Sequence, residues 1–513
     1  MKYKSFTAIL LTGLVTVLSD SCTKLEPHVY DRVQNFWRTP DQIAAGIAPA
    51  YIDLRNYAPF NSLYNLNEVS TDEIIVPTRG SDWYDNGSWE KMWKHRWAPD
   101  VYLFEDGWQF VYAGIARVNS ILQAVDEIVP PPQDSVSIKA ELKMIRAFYY
   151  YIGIDLFGNI PIVQNNTIPL SQLTNKSRTE VFEYIEKEIK GNLPALTEEV
   201  TLKTYGRATK WFAEALLAKL YLNASVYTGT PRWADCIAAC DSILLSDNYS
   251  LEPNFFDNFT INNEGSKENI FAIPFDATHG LNYFWLQPAT LHYNSWQTFG
   301  LQDRGAANGP CSTEEYYNLF DSTDIRRKMF LVGQQYIDQI KDSAHMQYDR
   351  SGQIPLNFDP RIQTFSIPLP QGEVAGARCA KWEFNKESGL MSNDFAVFRL
   401  SDIILMKAEA QLRSGDAAGA LVTINQQING VSIRSRAHLP DFSASEMNLD
   451  GLLKERAREL SWEGWRRNDE IRFGHFTDAR IPEKAKSDDY RMLYPIPQIE
   501  LDKNPYLKQN PGY

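Results

Sequence analysis

The stretch AEAQLRSGDAAGALVTIN, residues 408–425, decides the fold. It reads as two helices joined at Gly415, with Ala408, Ala417 and Ala420 where paired helices need small side chains to approach closely. The pair extends over about 401–430. Two short helices cannot bury their apolar faces alone, so this hairpin predicts neighbours of the same kind.

Working outward finds them. Residues 108–128 place Val111, Ile115, Val118, Ile121, Leu122 and Val125 at helical spacing, and the prolines at 130–132 stop the run. A second helix over 138–157 ends at Gly158, which makes a pair over about 104–158. Further helices over 179–193, 209–227 and 233–246 fill about 178–248, punctuated by Pro194 and the GTP at 229–231. A last pair covers about 449–466, with Glu455, Arg456, Arg458 and Glu459 expected on solvated faces. Beyond it, Arg466, Asp469 and Arg472 are expected to tie the chain to its C-terminal tail by ion pairs. The expected fold is mostly α: a scaffold of tetratricopeptide-like helical pairs supporting an irregular, loop-rich region with short strands.

That irregular region covers about 71–99 and 250–400. Helical periodicity gives way there to Pro, Gly, Asn and aromatic residues, with short apolar runs such as 270–275 that read as strands. Segments this long without regular structure are functional or well braced.

The first residues run MKYK, then FTAILLTGLVTVL, then SDSC. A basic start, an apolar stretch too short to span a bilayer and a small residue before Cys22 predict a lipoprotein signal over 1–21, with Cys22 carrying the lipid and 22–513 as the mature body. Losing Lys2, Lys4 and Asp20 takes the formal charge from −13 to −14. An acidic chain, with sequence pI near 5.2, argues against binding a phosphate backbone, so no nucleic-acid partner is expected. Mean hydropathy is −0.37, and no later run is apolar enough to cross a membrane. Cys236 and Cys240 share a helix face without further metal-spaced ligands and read as buried thiols.

Aromatic residues make up 13% of the chain, with 13 Trp, 26 Tyr and 26 Phe. Rings that are not core can stack on sugar faces while neighbouring polar groups take the hydroxyls. TRGSDWYDNGSW, from Thr78, offers such a set: Gly80 and Gly87 allow turns, so that Trp83 and Tyr84 can project beside Asp82, with Arg79 at the base. LNYFWLQPATLHYNSW, from Leu281, holds five rings in sixteen positions together with Asn282 and His292.

TRGSDWYDNGSW, RAFYYYIGIDLFGNIPIV from Arg146, GRATKWFAEALLAKLYL from Gly206, the AEAQLRSGD hairpin, ERARELSWEGWRRNDEIRFG from Glu455 and the terminal YPIPQIELDKNPYLKQNPGY occur in order. Together they resemble the SusD/RagB family of outer-membrane nutrient-binding lipoproteins of Bacteroidetes. The resemblance implies a non-catalytic lipoprotein, anchored in the outer membrane and facing the exterior, that captures glycan and delivers it to a SusC-like TonB-dependent transporter. It implies ligand contacts at Arg79, Asp82, Trp83, Tyr84, Asn282, Trp285 and Trp296. Asp276 and Glu383 fall near positions where some members hold Ca²⁺; too few ligands can be named, and no cofactor is assigned. Some relatives serve peptide uptake, so an oligopeptide is the alternative cargo. A glycoside hydrolase is the other, since two carboxylates placed across a sugar would suffice. No nucleophile elbow, phosphate loop or HExxH motif is present, and no catalytic residue is assigned.

Overall fold

The computed structural model describes residues 37–60, 63–276, 284–301, 305–386 and 391–513. The expected signal, Cys22 and Asn282 lie outside these residues. The chain divides into a unit ending at Gly46 and a body from Ile47 to Tyr513, and everything below concerns the body.

Nine helices of the body matter for its architecture. The first hairpin joins α1 (Tyr102–Asp126) to α2 (Ser135–Phe157), and Gly158 closes it with φ of +72°. α3 (Arg178–Asn192) starts in a capping box, in which Ser177 and Glu180 satisfy each other's backbone amides, and packs on α2. α4 (Lys210–Leu222) pairs with α5 (Trp233–Leu244), and α5 packs in turn on α6 (Leu400–Arg413). α6 forms the third hairpin with α7 (Ala417–Asn425), whose N-terminus is capped by Asp416. α8 (Leu449–Glu459) and α9 (Arg466–Phe473) complete the set. The fold is mostly helical and built of tetratricopeptide-like pairs, as the alanine pattern implied.

The irregular half is joined to this scaffold by a two-stranded antiparallel sheet. β1 (Asn269–Ile273) pairs with β2 (Phe395–Arg399), with Phe271 opposite Phe398 and Ile273 opposite Phe395. Both strands are buried throughout, which is why they read as continuous apolar runs and not as alternating ones. Phe271 packs 4.2 Å from Phe212 of α4, while Phe148 of α2 meets Phe212, Phe271 and Phe398 edge-on. Most of the aromatic surplus is spent in this way, in core contacts.

β2 runs directly into α6, and at the junction Arg399 enters a buried ionic cluster. It pairs with Glu459 at 2.7 Å, Glu463 at 2.7 Å and Glu268 at 3.2 Å. Glu459 is shared with Arg326 and Arg436, and Arg326 also holds Asp324 and Glu455. A second cluster links Arg456 to Asp402 and Asp469, and Arg472 to Glu409 and Asp469. Glu455, Arg456 and Glu459, expected on solvated faces, are therefore fully buried, because each finds opposite charges on distant segments. Three flanking arginines hold the Glu459 carboxyl far below the usual carboxylate range, outweighing its burial.

The ion pairs of α9 also differ from expectation. Arg466 grips Asp72 and Arg472 grips Glu409, so these residues lock α9 to the 71–99 loop and to α6. Its neighbour Arg467 makes the contact with the tail, donating to the Met492 carbonyl at 2.6 Å while pairing with Asp155 of α2. Cys236, Cys240, Cys311 and Cys379 are buried free thiols. No helix among the described residues is long and apolar enough to cross a membrane.

Arg399→Met should lower unfolding free energy by about 3–5 kcal/mol, because it leaves Glu459 and Glu463 short of a buried partner, and denaturant melts will read the loss directly. A second test concerns Glu68 and Glu73, two buried carboxyls within hydrogen-bonding reach of each other, both raised first of all by burial. A raised folded-state pKa stabilises fully below the unfolded value, near 4.3, and that stabilisation is lost as pH rises through the folded value. Glu68→Gln should thus leave Tm unchanged in mild acid and raise it relative to wild type at about pH 9.

Candidate ligand-binding cleft

The 71–99 loop enters the irregular half through a short parallel pairing of Thr78–Arg79 with Ser366–Ile367. Arg79 and Asp82 then exchange backbone hydrogen bonds at 2.9 and 3.0 Å around Gly80, whose φ is +63°. Immediately afterwards Trp83, Asp85 and Asn86 take φ values of +61°, +39° and +53°. Left-handed backbone at a bulky residue such as Trp is an outlier, and it persists only where surrounding contacts hold it.

Those contacts can be named. The Trp83 indole donates to the Ala307 carbonyl at 2.8 Å, and its ring meets Phe60 edge-on at 5.7 Å. It occupies space that a Cβ at Gly309 would fill, so glycine is required there. Phe60 also stacks on Trp89 and touches Trp285, which brings the two aromatic loops of the sequence onto one ring. Trp89 in turn donates its indole N–H to Asp85. Trp285 is half-buried and donates to the Gly305 carbonyl at 2.8 Å.

Beside Trp83 opens a cleft of about 800 Å³, lined by Asp82, Trp83, Asp85, Asn86, Ser88, Tyr102, Asp106, Tyr293 and Ala307. Tyr102, at the first residue of α1, is 43% exposed and offers an open ring face. Burial, ahead of nearby carboxylates, pushes both the Tyr102 and Tyr293 phenols up to about 12, so both are neutral hydroxyls at ordinary pH. Burial also raises the Asp106 carboxyl.

A chain of hydrogen bonds sets the Asp82 wall of the cleft. Tyr293 donates its hydroxyl to Asp82 at 2.9 Å, and Arg350 lies 4.4 Å over the Tyr293 ring while pairing with Asp82 at 3.1 Å. Arg350 also donates to Glu373 at 2.9 Å. His292 accepts the Asn294 backbone N–H on Nδ1, so its proton sits on Nε2 and is donated to Glu373 at 3.0 Å. That bond, followed by those from Arg350, holds the Glu373 carboxyl down to about 2. Burial lowers the His292 pKa, and the imidazole serves as a neutral hydrogen bonder.

The candidate residues separate into groups. Asp82 and Trp83 line the cleft. Arg79 does not: it is 1% exposed and its guanidinium donates to the carbonyls of Gly372, Ala375 and Gly309. Its role is to knit three loops together, because backbone carbonyls buried at their crossing need a donor. Tyr84, at 58% exposed, and Trp296, at 38%, project to solvent but are not among the lining residues, and Trp285 braces Phe60 from behind. Tyr102, Asp106 and Tyr293 were missed. Tyr102 and Asp106 sit in a helix whose apolar periodicity marks it as scaffold, and Tyr293 was counted only as one ring of its loop. Glu383 accepts the Ile261 backbone N–H at 3.0 Å, and among the described residues no three His, Cys, Asp or Glu side chains converge as metal ligands.

The body is thus a helical-pair scaffold holding strained aromatic loops around an open cleft, and known proteins share its fold. Residues 267–513 match the family model described as "SusD family", and residues 55–222 match one described as "Starch-binding associating with outer membrane". The chain belongs to the SusD/RagB family. It is 27% identical over 506 residues to the "Starch-binding protein SusD" of Bacteroides thetaiotaomicron, covering 88% of this chain and 86% of that one. Among solved structures it is similar to a "Laminarin binding SusD-like protein", with TM-score 0.73, 20% identity and coverage of 93% and 100%. It is similar too to "Surface glycan-binding protein A from Bacteroides thetaiotaomicron in complex with laminarihexaose", with TM-score 0.70, 21% identity and coverage of 92% and 99%.

Gly309→Ala tests the seating of Trp83. The added methyl should displace the indole, shift its fluorescence and cost about 1–3 kcal/mol in unfolding free energy.

Proposed function

We propose that this chain is a non-catalytic glycan-binding protein, lipid-anchored through Cys22 to the outer membrane and facing the cell exterior. It captures oligosaccharide or polysaccharide segments and delivers them to a SusC-like TonB-dependent transporter. The observation that carries this reading is the cleft, in which the Trp83, Tyr102 and Tyr293 rings stand beside carboxylate and amide acceptors. Ring faces suit the apolar faces of sugars, and Asp82, Asp85, Asn86 and Asp106 suit their hydroxyls. Starch, laminarin and laminarihexaose in the names of the relatives support the class of cargo. An open cleft leaves part of a ligand in water, so each site binds modestly. A membrane tether compensates by holding the binder at high local concentration above its transporter.

Affinity electrophoresis against a panel of polysaccharides tests the proposal. Tyr102→Ala should weaken binding to the retained glycan about five- to tenfold, a loss of ~1 kcal/mol, with Tm unchanged because the ring is exposed. Trp83→Ala should abolish retention. Incubation with the same glycan should release no new reducing ends; their appearance would support hydrolysis instead.

A further inference from the structure

We infer that the cleft selects uncharged glycans and rejects those bearing carboxylates or sulfates; this rests on the glycan-binding reading above and names the class of cargo within it. Among the described residues the lining carries three carboxylates, Asp82, Asp85 and Asp106, and no Lys, Arg or His. Asp85 is turned toward the Trp89 indole, and Asp82 toward Tyr293. Asp106 has no hydrogen bond or ion pair among the described residues, which leaves its oxygens free to accept from a ligand.

Arg350, the cation tied to the cleft wall among the described residues, is already engaged. It is clamped between Asp82 at 3.1 Å and Glu373 at 2.9 Å, with its guanidinium plane against the Tyr293 ring. Glu373 stays ionised down to about pH 2, so this neutralisation holds at any ordinary pH. A bidentate grip on a uronate or sulfate would require Arg350 to abandon both carboxylates and would leave them uncompensated.

A hydroxyl-rich neutral sugar meets the opposite situation. Its hydroxyls can donate to the cleft carboxylates in charge-assisted hydrogen bonds, about twice as strong as neutral ones. The neutral phenols of Tyr102 and Tyr293 add hydroxyl oxygens of their own at the ring edges, the Tyr293 proton being donated to Asp82. An acidic polymer brings a charge beside Asp85 and Asp106, which no cation among the described residues compensates, in a partly desolvated site, and the net charge of −13 repels it already at long range. That long-range part is screened by salt, while the contact part is screened less.

The test measures the full-length protein against matched polymers: laminarin, amylose, xylan and mannan, each native and carboxymethylated. For whichever backbone is retained, the native form should bind at least about tenfold tighter than its carboxymethylated form at low salt, equivalent to ~1.4 kcal/mol. The gap should narrow but persist at about 0.5 M salt. The double variant Asp85→Asn, Asp106→Asn keeps oxygen acceptors in place and should shrink the gap at least about threefold, with Tm recorded alongside; the wild-type comparison stands without it. Equal or tighter binding of a carboxymethylated form, with the native form also bound, would overturn the charge selection and leave the glycan reading intact. Retention of none of the polymers, native or modified, would overturn both.

Discussion

The structure depends on a set of charges that water never reaches. Glu459 is held by Arg326, Arg399 and Arg436, and those arginines reach on to Asp324, Glu455, Glu463 and Glu268. Removing so many ions from water costs several kcal/mol each, and the cost is offset only when every partner is in place with good geometry. The partners come from β2, the segment before β1, the turn at 324–329, the loop at 436 and helix α8. One arrangement of these segments satisfies all the charges, which excludes the many near-misses that an apolar core of the same size would tolerate.

The cleft inherits its rigidity from this cluster and its neighbour. Asp72 is gripped by Arg466, and Glu73 accepts hydrogen bonds from Ser461 and the Trp462 backbone, so the 71–99 loop is tied at its root to the turn between α8 and α9. Further along, Arg79 gathers the carbonyls of Gly309, Gly372 and Ala375 and sets three loops at one crossing. Only on such a base can Trp83, Asp85 and Asn86 be kept in left-handed backbone. The strain is concentrated at the residues that form the cleft floor, where a fixed ring saves the entropy of ordering it on binding.

Helices α1 to α7 were legible because apolar spacing, prolines and glycines act locally, within a few residues. The buried strand β1 was legible as a short apolar run; β2 was not singled out. The ion pairs were not: Glu455, Arg456 and Glu459 alternate in sign as surface residues do, and their burial follows from Arg326, Arg399 and Asp402, more than 50 positions away. Arg79 was misread for the same reason, since a basic residue next to Trp83 and Asp82 resembles a ligand contact until its carbonyl partners are seen. Tyr102 and Asp106 belong to the cleft although their helix reads as scaffold, because the loop at 83–88 folds over that end of α1.

The sequence by itself determined the helical-pair scaffold, the two irregular segments, the family and two of the cleft's residues, Asp82 and Trp83. These follow from periodicity, turn chemistry and motif order, which are properties of neighbouring residues. Only the tertiary structure decided that a charged helix is core, that Arg79 is a brace, and that Tyr102, Asp106 and Tyr293 complete the cleft. Those outcomes rest on pairings between segments far apart in the chain. Whether a polar side chain is solvated, buried or offered to a ligand is a property of what surrounds it, and the local sequence does not contain its surroundings.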